Sequence, residues 1–276
     1  MNTPSQPFTA VILAADRDRN DPVALSAGVS CKALTPVDGR PMVLRVLDAL
    51  ADAREVGVRI LVGPHKVFVE QNEELHHLVN SGQVQWIAPQ ATPSTSAFNA
   101  LQSLPKDFPV LVTTADHALL SAPMIDHFCA EARRSGSDVL AGVARHEVVA
   151  AAFPNTRRTV TRLKDGGYCG CNLFAFLTPQ AHAAADFWRK VERERKKPLR
   201  IVKVMGPMAV LRYLLGQLTL EQALARLSQR MKLKVGVVRM PFADAAVDVD
   251  KVEDWLLVEA VLAQRNQEKP TLGKVP

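Results

Sequence analysis

Short apolar runs alternate along this chain with longer segments of helical apolar spacing, and that rhythm limits the fold more than any other feature. Phe8 to Ala15 (FTAVILAA) is apolar almost throughout, as a strand covered on both faces must be. A polar stretch follows from Asp16 to Lys32, and then Pro41 to Ala53, whose apolar residues recur at helical intervals. Strands at Val58 to Val62, Val84 to Ile87 and Pro109 to Thr114 alternate with helices at Val67 to Val79, Thr95 to Leu104 and Ala122 to Arg134. Strands separated by helices pair through crossover connections, so the pattern predicts a doubly wound, mostly parallel α/β sheet.

Beyond Asp138 to Ala144 the rhythm changes. Arg157 to Leu163 and Asn172 to Leu177 read as strands around a glycine-rich turn, Asp165 to Gly170. Helices are predicted at Gln180 to Lys196, Gly206 to Leu215 and Leu220 to Met231, strands at Lys234 to Arg239 and Ala246 to Val249, and a closing helix at Val252 to Gln264. No repeat or linker interrupts the chain. It reads as a single domain over 1–276, with a basic helical insertion at about 179–232 and a frayed tail at 265–276.

Hydrophobic residues make up 47% of the 276 positions, enough for a substantial core, and the 22% charged content is too low for a disordered chain. No apolar run approaches the roughly 18 to 20 residues of a membrane span. The segment before Phe8 lacks the basic start of an export signal. The four cysteines, Cys31, Cys129, Cys169 and Cys171, are too few and too irregular for a disulfide framework, and Cys169-Gly-Cys171 is one residue short of a metal-binding Cys-x-x-Cys. The expected compartment is the cytoplasm. Between Arg189 and Lys203 stand eight bases and two acids, an excess equal to the net charge of +6 of the whole chain. Such a block points to one anionic contact: a phosphorylated substrate, a lipid headgroup or nucleic acid.

Ligands of doubly wound sheets bind beyond the carboxyl ends of the strands, near the place where strand order reverses, so polar residues just after strands carry most information. Asp116 ends the buried run of VLVTTADHALL, where a carboxylate can hold Mg²⁺ against phosphates or simply cap the next turn. His117 beside it is read either as an acceptor contact or as a loop histidine without a role. In AVDVDKVEDW, strand alternation would place Asp248 and Asp250 on one side, and two such carboxylates call for a nearby cation. Asp250 could equally be the N-cap of a helix starting at Lys251, with Glu253 completing a capping box.

These motifs, in this order, resemble the nucleotidyltransferase family with the molybdenum-cofactor guanylyltransferase-like (MobA-like NTP transferase) fold. That family opens with LAAG-x-G-x-R, a lysine, and P-x-x-G-[KR]-P-[ML]. Leu13, Ala14 and Ala15 match, as do Lys32, Pro36, Gly39, Arg40, Pro41 and Met42, whereas Asp16 and Asp18 replace the two glycines. The resemblance implies a Rossmann-like, GT-A-type nucleotide-diphosphate-sugar transferase fold with a helical insertion. It implies catalytic roles for Lys32, on the phosphates, and Asp116, on the metal, with Asp248 or Asp250 as a second metal ligand. Leu13, Ala14, Ala15, Arg17, Arg19 and Lys32 would surround the triphosphate. Ser94, Thr95, Ser96 and Asn99 fall in the family's base- and ribose-reading segment, although the hydroxyls also suit a helix cap. Gly170 and Asn172 match its acceptor-side strand, and Arg200 and Lys203 of the basic block are further acceptor candidates beside His117.

The implied reaction transfers a nucleoside monophosphate from an NTP, CTP favoured over GTP, to a phosphorylated small-molecule or lipid-linked acceptor with Mg²⁺ as cofactor and pyrophosphate as product. A GT-A-type glycosyltransferase using a nucleotide-sugar and an inactive nucleotide-binding regulator are the alternatives. The expected partners are an NTP and a phosphorylated acceptor, with no nucleic acid; peripheral contact with anionic lipid through 189–215 is the further option left by the basic block. The oligomeric state is open.

Overall fold

All six residues of β1 (Phe8–Leu13) are buried, and the strand runs through the middle of an eight-stranded sheet. The computed structural model describes residues 6–16, 20–105, 109–181, 184, 186 and 206–268. β1 pairs in parallel with β4 (Val56–Val62) and β6 (Val110–Thr114), and β4 pairs in parallel with β5 (Gln85–Ile87). β7 (Val139–Arg145) and β10 (Val235–Met240) form another parallel pair. Only β9 (Gly166–Phe176) runs against its neighbours β6, β7 and β8 (Thr161–Leu163). The order is β10-β7-β9-β6-β1-β4-β5, with β8 beside β9. From β1 the chain builds outward through β4 and β5, then returns to the other side of β1 as β6. Strand order therefore reverses between β1 and β6, which opens a crevice at their carboxyl ends.

Alternation along β1 divides the core into two layers. Ala10 and Ile12 join the cluster made with α2 (Met42–Asp52), α6 (Ala122–Arg134) and α10 (Val252–Glu268), while Val11 and Leu13 join Ala97, Ala100 and Leu101 of α5 (Pro93–Ser103). Helices thus cover both faces, as a mostly parallel sheet requires. No helix among the described residues is long and apolar enough to cross a membrane.

Several expectations need correction. The helix expected over Val67 to Val79 is two, α3 (Lys66–Gln71) and α4 (Glu73–Asn80), because the Asn72 side chain accepts from the Leu75 amide and caps the second. Gly166 to Gly170 are strand, not turn: a Cβ on Gly167 would stand 2.9 Å from the Cβ of His146, so glycine here permits close packing. The strand expected from Arg157 begins only at Thr161. Ala246 to Val249 is no strand; a 3₁₀ turn, Ala243–Ala246, leads into extended chain whose Val249 amide bonds the Asp116 carbonyl at 3.0 Å. Helices α1 (Pro22–Ser26) and α7 (His146–Ala152) interrupt stretches read as irregular. The insertion supplies α8 (Pro207–Leu214) and α9 (Leu220–Met231), and α10 continues to Glu268, past the start of the expected frayed tail. The basic block Arg189 to Lys203 lies outside the described residues.

Candidate active site

The crevice between β1 and β6 is a cavity of ≈ 230 Å³. Leu13, Ala14, Ala15 and Asp16 line it after β1, Val62 after β4, and Thr114, Ala115 and Asp116 after β6. Lys32, Asp21, Pro93, Ser96 and Asp250 complete it. Residues spread over more than two hundred positions meet here because each leaves a strand or helix end at the same rim.

Lys32 is its centre. The ammonium donates to Asp116 Oδ2 at 2.7 Å and lies 3.5 Å from Asp250 Oδ1, so two carboxylates distant in sequence share one lysine. Burial would push the Asp116 carboxyl up, but the charge and hydrogen bond of Lys32 outweigh it and hold the group below its ordinary value. Burial likewise opposes the charge on Lys32, and the carboxylates of Asp116 and Asp250 reverse the effect and raise it. Asp116 Oδ1 is buried and makes no hydrogen bond of ordinary geometry, although the Thr114 hydroxyl beside the carboxylate also helps to hold it ionised. Asp250 is 61% exposed and free to meet a ligand.

The aspartate in place of the first loop glycine has a definite use. Both carboxylate oxygens of Asp16 accept from the Lys32 amide, at 3.1 and 3.2 Å, and tie the end of β1 to the residue that must reach the crevice. Burial raises the Asp16 carboxyl despite that bond. Asp21 caps α1, accepting from the amides of Val23 and Ala24. Asp16, Asp21, Asp116 and Asp250 therefore face Lys32 across one small cavity. Arg17 and Arg19, which sequence places at the phosphates, lie outside the described residues.

A second cavity, ≈ 260 Å³, adjoins the first and shares Asp250 with it. Gly170 and Asn172 line it, together with Asp248, Arg157, Arg158, Thr159, Thr161 and Asp254. Asn172, in the left-handed region at φ 47, donates from Nδ2 to Asp248 Oδ2 at 2.9 Å. The Arg158 side chain, 7% exposed, lies 3.5 Å from Asp248 and 3.1 Å from Asp254. Both oxygens of Asp248 are thus turned toward partners of its own, whereas burial and the nearby charges of Asp250 and Asp116 raise its carboxyl. Asp250 is not a helix cap; its amide and that of Lys251 both donate to Asp254 Oδ2, which closes the start of α10 from inside.

Other placements follow from the caps. Thr92, not one of the three residues after Pro93, is the N-cap of α5, accepting from the Thr95 amide at 3.2 Å. Ser94 and Thr95 bond to the Thr92 hydroxyl; Ser96 reaches the cavity while its Oγ accepts from the Gln90 amide; Asn99 is exposed and does not line the crevice. The expectation that His117 touches acceptor is corrected. It is 1% exposed beneath the 243–246 turn, and burial holds its imidazole neutral, with the pKa pushed down to about 4. Arg200 and Lys203 lie outside the described residues. Sequence reasoning missed Asp21, Arg158 and Asp254. An aspartate immediately before a proline-led helix start was a legible cap signal for Asp21, whereas nothing local distinguished Arg158.

A family model, the MobA-like NTP transferase domain, matches residues 10–235, which supply most of the lining of both cavities and stop short of Asp248, Asp250 and Asp254. The chain belongs to that family. By family it is a nucleotide-binding nucleotidyltransferase. A solved structure described as a hypothetical transferase from Thermus thermophilus is 28% identical, with a TM-score of 0.75, 90% of this chain covered and 99% of that one. The 4-diphosphocytidyl-2C-methyl-D-erythritol synthase of Anaerococcus prevotii is 15% identical over 94% of this chain and 96% of that chain, with a TM-score of 0.57. A CMP:2-keto-3-deoxy-manno-octonic acid synthetase complexed with CTP is 12% identical over 94% and 99%, with a TM-score of 0.55. These last two share the fold with it. No curated protein is similar enough in sequence to match.

Proposed function

We propose that the protein transfers a nucleoside monophosphate from an NTP to a phosphorylated acceptor, with the NTP in the crevice and the acceptor in the second cavity. The single observation that carries this reading is that Asp250 borders both cavities, so reactants held on its two sides meet at one carboxylate. CTP is the favoured nucleotide. Ser96 of the base-reading segment reaches the crevice, and the CTP-bound synthetase has the same fold.

The donor set fits a hard divalent cation. The described residues lining the cavity include four carboxylates and one lysine, a set that repels a triphosphate unless positive charge is added. Mg²⁺ is held by one or two carboxylates together with substrate phosphates. Asp116 and the exposed Asp250 would hold it; Asp248, engaged by Asn172 and Arg158, orients the acceptor side instead. When bound, the ion neutralises charge on the phosphates. Lys32 then donates to the polyphosphate that leaves. An acceptor phosphate oxygen attacks the α-phosphorus, the α–β anhydride bond breaks, and its electron pair departs with pyrophosphate. The nucleophile is already anionic, so no proton need be removed, and catalysis rests on placement and charge.

The test is pyrophosphate release from each NTP with a panel of sugar and polyol phosphates in Mg²⁺. Acceptor-dependent release, lost in Asp116→Asn, supports the reading; release that ignores every acceptor, or none with any NTP, refutes it.

A further inference from the structure

Asp250 borders both cavities, yet no strand or helix holds it. Residues 247–250 run between the 3₁₀ turn and α10 without regular structure, and the Asp250 side chain is 61% exposed. A divalent cation tolerates little drift in such a carboxylate, because Mg²⁺ demands near-ideal octahedral geometry at about 2.0–2.1 Å. The backbone on either side must then be fixed. On the near side the Val249 amide bonds the Asp116 carbonyl at 3.0 Å. On the far side Asp254 Oδ2 accepts from the amides of Asp250 and Lys251 at 3.2 and 3.1 Å.

One buried side chain takes hold of both ends of this stretch. Arg158 Nη1 donates to the Asp248 carbonyl at 3.1 Å, and Nη2 lies 3.1 Å from Asp254 Oδ1. The guanidinium thus grips the residue two before Asp250 directly and the Asp250 amide through one carboxylate. Among the described residues its polar contacts all go to Asp248 and Asp254, and Nε makes no hydrogen bond. Stability is a poor reason for burying such a group, because desolvation cancels much of the attraction between ions taken out of water. What a planar, always charged fork adds is direction: two nitrogens at a fixed spacing set two oxygens of different residues relative to each other. A lysine at this position would supply the charge at a single point.

We propose that Arg158 is a positioning residue for Asp250: by bridging the Asp248 carbonyl and the Asp254 carboxylate it fixes the stretch that presents Asp250 to the metal ion. The inference rests on the reading that Asp250 helps to hold that ion. Arg158 also lines the second cavity, where its neighbours Arg157 and Thr159 are exposed, so its effect on the metal is read without acceptor present. Outer residues that orient a metal ligand change metal affinity by about 10–100-fold when removed.

The test is Mn²⁺ binding to the full chain with saturating CTP and no acceptor, followed by the paramagnetic resonance of free Mn²⁺ against CTP alone as baseline, with the melting temperature of each variant beside it. Arg158→Gln should lower both the melting temperature and the Mn²⁺ affinity, because Asp248 and Asp254 lose their counter-charge. Arg158→Lys should keep the melting temperature near that of wild type and still weaken Mn²⁺ about tenfold. Made in Asp250→Asn, the same Arg158→Lys change should shift the affinity less than about twofold, since a residue that acts through Asp250 has nothing left to place. Wild-type Mn²⁺ affinity in Arg158→Lys, or an undiminished tenfold loss in the Asp250→Asn background, overturns the inference and leaves the role of Asp250 intact. Failure of the underlying reading looks different: wild type then binds no Mn²⁺ with any NTP, or binds it equally well after Asp250→Asn, and the inference falls with it.

Discussion

The pairing of Lys32 with Asp116 can be measured apart from any reaction. At 2.7 Å and an effective dielectric of about 20, the Coulomb attraction is about 6 kcal/mol before desolvation. The two side chains are 15% and 20% exposed, and taking them out of water returns about half of that, leaving a coupling of about 2–3 kcal/mol. Lys32→Met alone takes the ammonium away from Asp116, close to Asp250 and Asp248, and should cost about 3 kcal/mol, or roughly 6–10 °C in melting temperature. The assay is urea unfolding at neutral pH, without divalent metal, of wild type, Lys32→Met, Asp116→Asn and the double variant. A coupling near 2–3 kcal/mol supports the buried pair. A value below about 0.5 kcal/mol, typical of solvent-exposed pairs, would falsify it. The same logic predicts that millimolar Mg²⁺ stabilises Lys32→Met more than wild type, because the carboxylates no longer hold a competing ammonium.

Other consequences can be checked separately. The Asp248 carboxyl is raised in the fold, so its ionisation opposes folding above the unfolded value of 3.8; that share of stability is full below 3.8 and lost as pH rises through the folded value, and the pH profile of urea unfolding should lose that slope in Asp248→Asn. The folded imidazole of His117 lies near 4 against 6.5 unfolded, so metal-free wild type should lose about 3 kcal/mol of stability between those values as pH falls; His117→Gln should flatten that slope, and an unchanged slope would count against a neutral buried histidine. Asn172→Ala removes a hydrogen bond to a carboxylate and puts alanine at positive φ, costing about 2 kcal/mol. In turnover assays it should raise the acceptor KM and leave the NTP KM unchanged.

How far the sequence disclosed this structure depended on the range of the forces involved. The buried strands β1 and β6 and the helices α2 and α6 were legible from local periodicity, because a strand covered on both faces has no alternative to an apolar run. Lys32, Asp116 and Asp250 were legible as chemistry, since each follows an element that ends at the crevice. Their convergence on one ammonium was not, because it depends on three chain segments crossing at a rim. The Asp38–Gly39 turn between β2 (Pro36–Val37) and β3 (Arg40–Pro41) carries a readable hairpin signal, both residues at positive φ, yet its strands are too short for alternation to show. Gly166 and Gly167 misled because a glycine needed for close approach looks in sequence like one needed for a turn. Arg158 was invisible for a simpler reason: its partners Asp248 and Asp254 lie ninety or more positions away, and only folding makes it buried.

The most direct measurement is calorimetric titration of CTP into the metal-free protein and into the protein with Mg²⁺, for wild type and Asp250→Asn. Nucleotide held by Lys32 among the carboxylates of Asp16, Asp21, Asp116 and Asp250 should bind wild type at least about tenfold more tightly with Mg²⁺ than without, and Asp250→Asn should lose most of that gain. Equal affinity with and without the ion, or a gain that survives intact in Asp250→Asn, would contradict the account.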